Sequence, residues 1–306
     1  MIEHFALGAA LAFILGLCFG SFLNVCIYRM PRGLSVVRPG SMCPGCGKPI
    51  APYDNVPVLS WLMLRGRCRN CKMFITPRYM FVELLTAVLF VASYRLALGV
   101  LPAAIKGMVF CFLIVGLIFT DAETHLLPDK LTLTGFGLGL VFSVFVTVPG
   151  IFVLQAPAHI SWQALALRSV ADALAGALLG AGFVYIAGLV YLVLRRTEGM
   201  GMGDVKLMAL VGSFLGASLT LFTLLVACLA GAIYGLVVLA IVYAKRRTRH
   251  SQHHPAQSHE RALRSAKLAL QGFPIPFGVF LGSASLIALF FGEHLFFWYM
   301  SLFRTY

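Results

Sequence analysis

Apolar runs of 17 or more residues recur along nearly the whole length of this chain. A helix of that length crosses ~30 Å of hydrocarbon. Crossings are expected near 5–28, 80–101, 103–120, 131–148, 170–194, 205–221, 222–244 and 276–303. The fold class is therefore an all-α polytopic membrane protein with about eight transmembrane helices. Charge agrees, since only 11% of residues are Asp, Glu, Lys or Arg, against about a quarter in soluble domains.

The few charges orient the spans. Segments 29–78, 121–130, 195–206 and 244–267 fall on one side and hold twenty Lys or Arg. The other side holds Arg95, Lys106, Arg168 and Arg304. Basic loops stay in the cytoplasm, so both termini are expected outside. The net charge of +13 is then mostly a topology signal. No basic, aromatic-interleaved soluble domain accompanies it, so the lipid bilayer is an expected partner and nucleic acid is not. Only Glu3 and His4 lie before the first apolar run, without a basic leader segment. That run is too long for a signal-peptide core and is read as a span.

Residues 29–79 form the one large loop on the basic side. It carries Cys43-Pro-Gly-Cys46 and Cys68-Arg-Asn-Cys71, two pairs separated by 21 residues. This is the spacing of a four-thiolate zinc ribbon, in which Cys43, Cys46, Cys68 and Cys71 share one structural Zn²⁺. Two disulfides are the rival reading, and a reducing cytoplasm disfavours them. Cys18, Cys26, Cys111 and Cys228 sit inside apolar runs and are read as packing residues. Ser21 and Asn24, within the first span, are read as helix–helix hydrogen-bonding groups beside a small-residue contact at Gly16 and Gly20. No function attaches to the outer loop 149–169. The His-bearing stretch 245–260 is read as a solvated basic loop, and 257–271 as a short helix lying along headgroups. No internal repeat stands out.

Eleven acids remain, and few lie beside long apolar segments. Carboxylates near a bilayer need a partner or a job. Asp121 follows one apolar run, and Gly201-Met202-Gly203-Asp204 opens another on the same side. Gly201 and Gly203 allow positive φ and close backbone approach. Two close carboxylates share a proton, which divides acid and base roles between them. One then takes a proton from water attacking a peptide carbonyl while the other protonates the leaving nitrogen. The helix-end fields make Asp204, at an N-terminus, the more readily ionised member. Glu123 and Glu198 are expected to attract a basic substrate, and Asp129 to cap or orient its turn.

These motifs together resemble the type IV prepilin peptidases, bacterial inner-membrane aspartic proteases. The resemblance runs through Gly20-Ser-Phe-Leu-Asn-Val-Cys-Ile-Tyr-Arg-Met-Pro31, both cysteine pairs, Tyr53-Asp54-Asn55-Val56-Pro57, Leu59-Ser60-Trp61-Leu62 and Pro77-Arg78-Tyr79. It continues through Asp121, Leu127-Pro128-Asp129, Gly201 to Asp204 with Val205-Lys206-Leu207, and Pro276-Phe277-Gly278. It implies that Asp121 and Asp204 are the catalytic pair and that 80–306 is the peptidase core, behind a first helix (1–28) and the four-cysteine domain (29–79). It implies cleavage of basic leaders from prepilins and type II secretion pseudopilins, at the cytoplasmic face of the inner membrane. It further implies N-methylation of the new terminus from S-adenosylmethionine, at a donor site that no motif here reveals. The 83 residues between the two aspartates are a wide separation for that family. Two other functions fit parts of the pattern. A proton-coupled transporter would place its carboxylates at mid-membrane depth. A non-enzymatic zinc-ribbon scaffold for pilus assembly would not need them.

Overall fold

The computed structural model describes residues 2–148, 153, 155, 160–196, 201–251 and 276–303. Among these the fold is helical, with no strands and two isolated β-bridges. The helices are α1 (Ile2–Arg29), α2 (Leu59–Met63), α3 (Arg78–Leu96), α4 (Leu101–Thr124), α5 (Asp129–Phe145), α6 (Trp162–Arg195), α7 (Met202–Ser251) and α8 (Phe277–Phe303). Among the described residues, five stretches are long and apolar enough to cross a membrane: Phe5–Arg32, Arg78–Leu96, Leu101–Thr124, Trp162–Arg195 and Met202–Lys245.

Local chemistry moves several boundaries from their expected places. Helix α4 keeps helical geometry to Thr124, so Asp121 lies in its last turn rather than beyond it. His125, at φ 52°, closes that helix with its N–H on the Asp121 carbonyl. Helix α6 starts at Trp162, not near 170, because Ser161 caps it by accepting from the Ala164 N–H. The last eight residues of the expected 149–169 outer loop, 162–169, are therefore helix. The Val148 N–H donates to Ser169 and the Val153 N–H to Asp172, which fastens the described part of that loop to α6. Helix α7 contains a break, but at Gly216 (φ 75°, ψ 178°) rather than between 221 and 222. Glycine alone adopts that backbone without strain. Gly176 of α6 presses on the break, where a Cβ would lie 2.6 Å from the Gly216 carbonyl carbon. The expected 257–271 helix and most of the His-bearing stretch lie outside the described residues.

Two packed groups meet along α4. Leu23, Cys26 and Ile27 of α1, Val82 of α3 and Val115 of α4 form one cluster. Phe110, Ile114 and Leu117 of α4 join Leu207, Met208 and Leu210 of α7 and Leu281 of α8 in the other. The α1–α3 seam is closed by Gly16 and Gly20, where a Cβ would come within 2.4 Å of Ala87 Cα and 2.7 Å of Glu83 Cα. Small residues permit this backbone contact, which drives helix association in lipid.

Candidate active site and cysteine cluster

The four cysteines of the 29–79 loop converge, with all four Sγ atoms within 4.8 Å of one another. Two β-bridged knuckles bring them together. Met42 bridges Pro49, and Arg67 bridges Phe74, each partner 25 positions further on. The hydrogen bonds repeat at the same offset. Cys43 N–H donates to Lys48 and Cys68 N–H to Met73, while Gly47 N–H returns to Cys43 and Lys72 N–H to Cys68. The residue after each second cysteine has positive φ, Gly47 at 67° and Lys72 at 60°. This local duplication is the internal repeat that the sequence reading missed, because only the paired cysteines and the backbone are shared.

The cluster fits a metal. Tetrahedral Zn–S bonds of ~2.3 Å put sulfurs about 3.8 Å apart, and Cys43 and Cys71 Sγ are 3.7 Å apart. All four are free thiols without a disulfide. The backbone N–H groups of Cys71 and Asn70 hold the Cys68 thiol down to about 6, while burial and the neighbouring thiols push Cys71 up to about 11, so Cys68 is the member of the pair that favours a thiolate. The rest of the loop is fastened by Arg29, which donates to the carbonyls of Ser35, Pro39 and Gly40, and by Arg69, which pairs with Asp54 at 2.6 Å. Arg69 holds the Asp54 carboxyl below its ordinary value. Trp61, after α2 begins, donates its indole N–H to Ile75 and packs against Gly66 of the second knuckle.

Asp121 and Asp204 stand at neighbouring helix ends, linked through Leu127. Asp121 ends α4, and Asp204 is the third residue of α7. Both are buried, at 5% and 9% exposure. Leu127, in the turn between α4 and α5, lies against both sides of the site. A Cβ on Gly203 would stand 3.0 Å from Leu127 Cβ, and one on Gly278 would stand 3.3 Å from its Cδ1. Gly203 thus supplies close approach, as expected. Neither Gly201 nor Gly203 uses positive φ, which corrects the other half of that expectation.

Helix α8 contributes more than the sequence suggested. The Val279 N–H donates to Asp121 Oδ2 at 3.1 Å, across 158 residues. Gly278 leaves room for that carboxylate, since a Cβ there would lie 2.9 Å from Oδ2. Asp121 therefore faces the N-terminus of α8 as well as ending α4. Each aspartate now meets a helix N-terminus, so helix-end fields no longer separate their roles. Only the motif resemblance at Pro276-Phe277-Gly278 pointed to this segment.

The surrounding charges are largely spoken for. Glu123 pairs with Arg78, the first residue of α3, and is not a free acid awaiting a basic leader. Asp129 Oδ1 accepts from Lys206 Nζ at 2.7 Å, tying the start of α5 to the start of α7. Glu198 lies outside the described residues. Asn24 makes the expected helix–helix bond, donating from Nδ2 to the Tyr79 carbonyl of α3 at 3.0 Å. Glu83 was not singled out from the sequence, although a carboxylate inside an apolar run is a signal in itself. It is buried and accepts at 2.7 Å from the N–H of Val58, which the loop presents at φ 60°.

Comparison with known proteins gives this arrangement relatives. Residues 14–96 match the family described as the bacterial peptidase A24 N-terminal domain, and residues 107–236 match the type IV leader peptidase family. A Myxococcus xanthus protein named prepilin leader peptidase/N-methyltransferase is 40% identical over 254 residues, covering 81% of this chain and 68% of its own. An Aeromonas hydrophila protein of the same name is 33% identical over 320 residues, covering 96% and 94%. One from Neisseria gonorrhoeae is 34% identical, covering 80% and 86%. No solved structure matches the chain. With both halves matched and relatives aligned over most of their length, the chain belongs to the type IV leader peptidase family of membrane enzymes.

Proposed function

We propose that this enzyme removes the basic leader from type IV prepilins and type II secretion pseudopilins and then N-methylates the new terminus. What supports the first step is that two buried carboxylates, Asp121 and Asp204, stand at the ends of α4 and α7 with Leu127 packed near both. Asp121 and Asp204 share one proton between them. The ionised member takes a proton from water as the oxygen attacks the scissile carbonyl carbon. The protonated member gives its proton to the leaving nitrogen as the C–N bond breaks. The Val279 N–H and the side-chain-free face of Gly278 hold the Asp121 carboxylate for this work. The Asp129–Lys206 pair sets the α5 turn against α7. Leu127 packs between Gly203 and Gly278.

Four cysteines would hold one structural zinc, which would brace a loop of about 50 residues too small to build a core alone. The methyl group comes from S-adenosylmethionine as a co-substrate. The basic loops support a cytoplasmic position for this end of the bundle, in a bacterial inner membrane. Eight crossings are counted when α5, α8 and the two parts of α7 about Gly216 each span. A transporter is disfavoured because the carboxylates sit at helix ends, and a scaffold would leave the convergence of Asp121, Asp204 and Gly278 without purpose. The test is incubation of the purified full-length chain with a prepilin and S-adenosylmethionine, followed by mass analysis of the product. The expected product lacks its leader and carries one added methyl group. An intact prepilin after incubation with folded enzyme overturns the reading.

A further inference from the structure

The two knuckles of the cysteine domain share a backbone but not a surface. At the offset of 25 positions that relates them, Gly40, Met42 and Gly47 of the first stand where Arg65, Arg67 and Lys72 stand in the second. These three cations line a cavity of about 410 Å³ together with Leu64 and Cys68. None of them forms an ion pair among the described residues. The first knuckle makes the same turns and supplies its two cysteines without such cations, so the knuckle fold does not require them. Lys72 stands at φ 60°, the left-handed backbone that its counterpart Gly47 adopts at 67°. Lysine is strained there and glycine is not. Strain kept where an easier residue would serve points to a task for the side chain.

The segment that leads into this knuckle has the opposite peculiarity. Helix α2 exposes Leu59, Leu62 and Met63, whose spacings of three and four put them on one face. Met63 is 82% exposed, and no described residue covers it. The other side of α2 is the one that packs. Ser60 is buried and donates to the Tyr53 carbonyl, and Trp61 donates to Ile75. Phe74, which is bridged to Arg67, is exposed as well. Contiguous apolar exposure of this kind marks a contact with another molecule or with lipid.

Depth selects lipid. The Val58 N–H, one residue before α2, is held at 2.7 Å by Glu83. Glu83 is five residues into α3, about 7.5 Å along its axis. It lies against Gly20, nine residues before the end of α1. Trp61 is tied to Ile75, three residues before α3 begins. Helix α2 is thus moored beside the first turns of α3, a helix long and apolar enough to cross a membrane. That is the level at which headgroups meet acyl chains. An apolar face sunk into this boundary, with cations at its polar edge, makes an interfacial anchor. Charge completes the choice, because anionic headgroups attract Lys and Arg held close to the membrane.

We propose that the second knuckle is a docking site for anionic phospholipid. Arg65, Arg67 and Lys72 receive the headgroup phosphate in their cavity, while Leu59, Leu62 and Met63 enter the acyl boundary beside it. Phosphate is the fitting anion, since guanidinium groups bind it through paired N–H donors and lysine binds it as a point charge. The contact fixes the height of the cysteine domain on the bilayer, beside the starts of the spanning helices.

The test uses full-length, zinc-loaded protein in detergent carrying Met63→Trp, a substitution at an exposed site. Phosphatidylglycerol brominated on its acyl chains is titrated in, with brominated phosphatidylcholine in parallel. Quenching of the added indole is read after subtraction of the parent protein's signal. Quenching should set in at a lower concentration of phosphatidylglycerol than of phosphatidylcholine. A basic residue near an anionic surface contributes about fivefold in binding, so Arg65→Gln or Arg67→Gln should each raise the half-quenching concentration of phosphatidylglycerol by about that factor. Both together with Lys72→Gln should raise it ~10²-fold, with phosphatidylcholine unmoved. Lys72→Gly, which installs the residue of the twin knuckle, should lose the same single factor while zinc content and thermal stability hold. A merely structural lysine would not behave so. Equal quenching by both lipids, or a preference that the triple variant leaves unchanged, overturns the inference, as does the absence of quenching by either. A triple variant that also loses its zinc assigns the cations to the metal site and overturns it. Protection of position 63 by an added prepilin in place of lipid gives this face to the substrate and overturns it too.

Discussion

Gly278→Ala tests how tightly α8 holds the Asp121 carboxylate. A Cβ at this position would lie 2.9 Å from Oδ2 and 3.0 Å from Cγ of Asp121. Ordinary contact begins at 3.4 Å, so the carboxylate must retreat by about half an ångström. Retreat is not free, because Asp121 is short, bonded to the Val279 N–H at 3.1 Å, and sits where Leu127 already approaches Gly278. Overpacking of this kind costs about 1–3 kcal/mol, and better helix propensity in the first turn of α8 offsets at most about 1 kcal/mol of it. The protein should therefore remain folded. Misplacing a catalytic group by 1 Å slows a reaction about 10²-fold, so half that shift should lower kcat about 10-fold. The assay is steady-state prepilin cleavage in proteoliposomes, with methylation of a pre-cleaved peptide as an internal control. Cleavage by Gly278→Ala at the wild-type rate would refute the reasoning, because the carboxylate would then have room that the packing denies it.

Asp121→Asn and Asp204→Asn should each abolish cleavage in protein that still folds, because a shared proton needs two carboxylates; near-normal cleavage by folded Asp204→Asn removes the aspartic reading. Asp129→Asn should reduce cleavage only a few-fold, since its bond to Lys206 is an exposed ion pair worth about 0–1 kcal/mol. Elemental analysis of protein purified without chelator should find one zinc per chain, lost in Cys68→Ser, and limited proteolysis should then cut within 29–79 while helix content is retained. Zinc content unchanged in Cys68→Ser would place the metal elsewhere. Carboxyl NMR should find Asp54 titrating below its ordinary value because Arg69 bonds it. The stabilisation is present above the unfolded pKa and is lost as pH falls through the depressed folded one. Arg69→Gln should return the midpoint toward about 3.9, and an unmoved midpoint would show that Arg69 is not the cause.

The helical class followed from the apolar runs, because lipid leaves a chain few other ways to satisfy its backbone. The two cysteine pairs and the two aspartates were legible for a related reason. Thiolates paired at short spacing, and carboxylates beside long apolar segments, are expensive or reactive enough to need a purpose wherever they occur. Helix boundaries were less legible, since a Ser161 cap or a glycine break at Gly216 shifts an end without altering hydropathy. Contacts between distant segments were not legible at all. Nothing in Glu123 alone says that Arg78 neutralises it, and nothing in Val279 says that its N–H meets Asp121 across 158 residues. Such pairings depend on which helix faces lie together, set at Gly16, Gly20, Gly176 and Gly212 by how closely two backbones approach. The sequence by itself determined that this chain would enter a membrane carrying a thiolate cluster and acids at its helix ends. Tertiary packing decided which acids lie near one another and which are already paired, because those outcomes depend on distances between segments that no local pattern encodes.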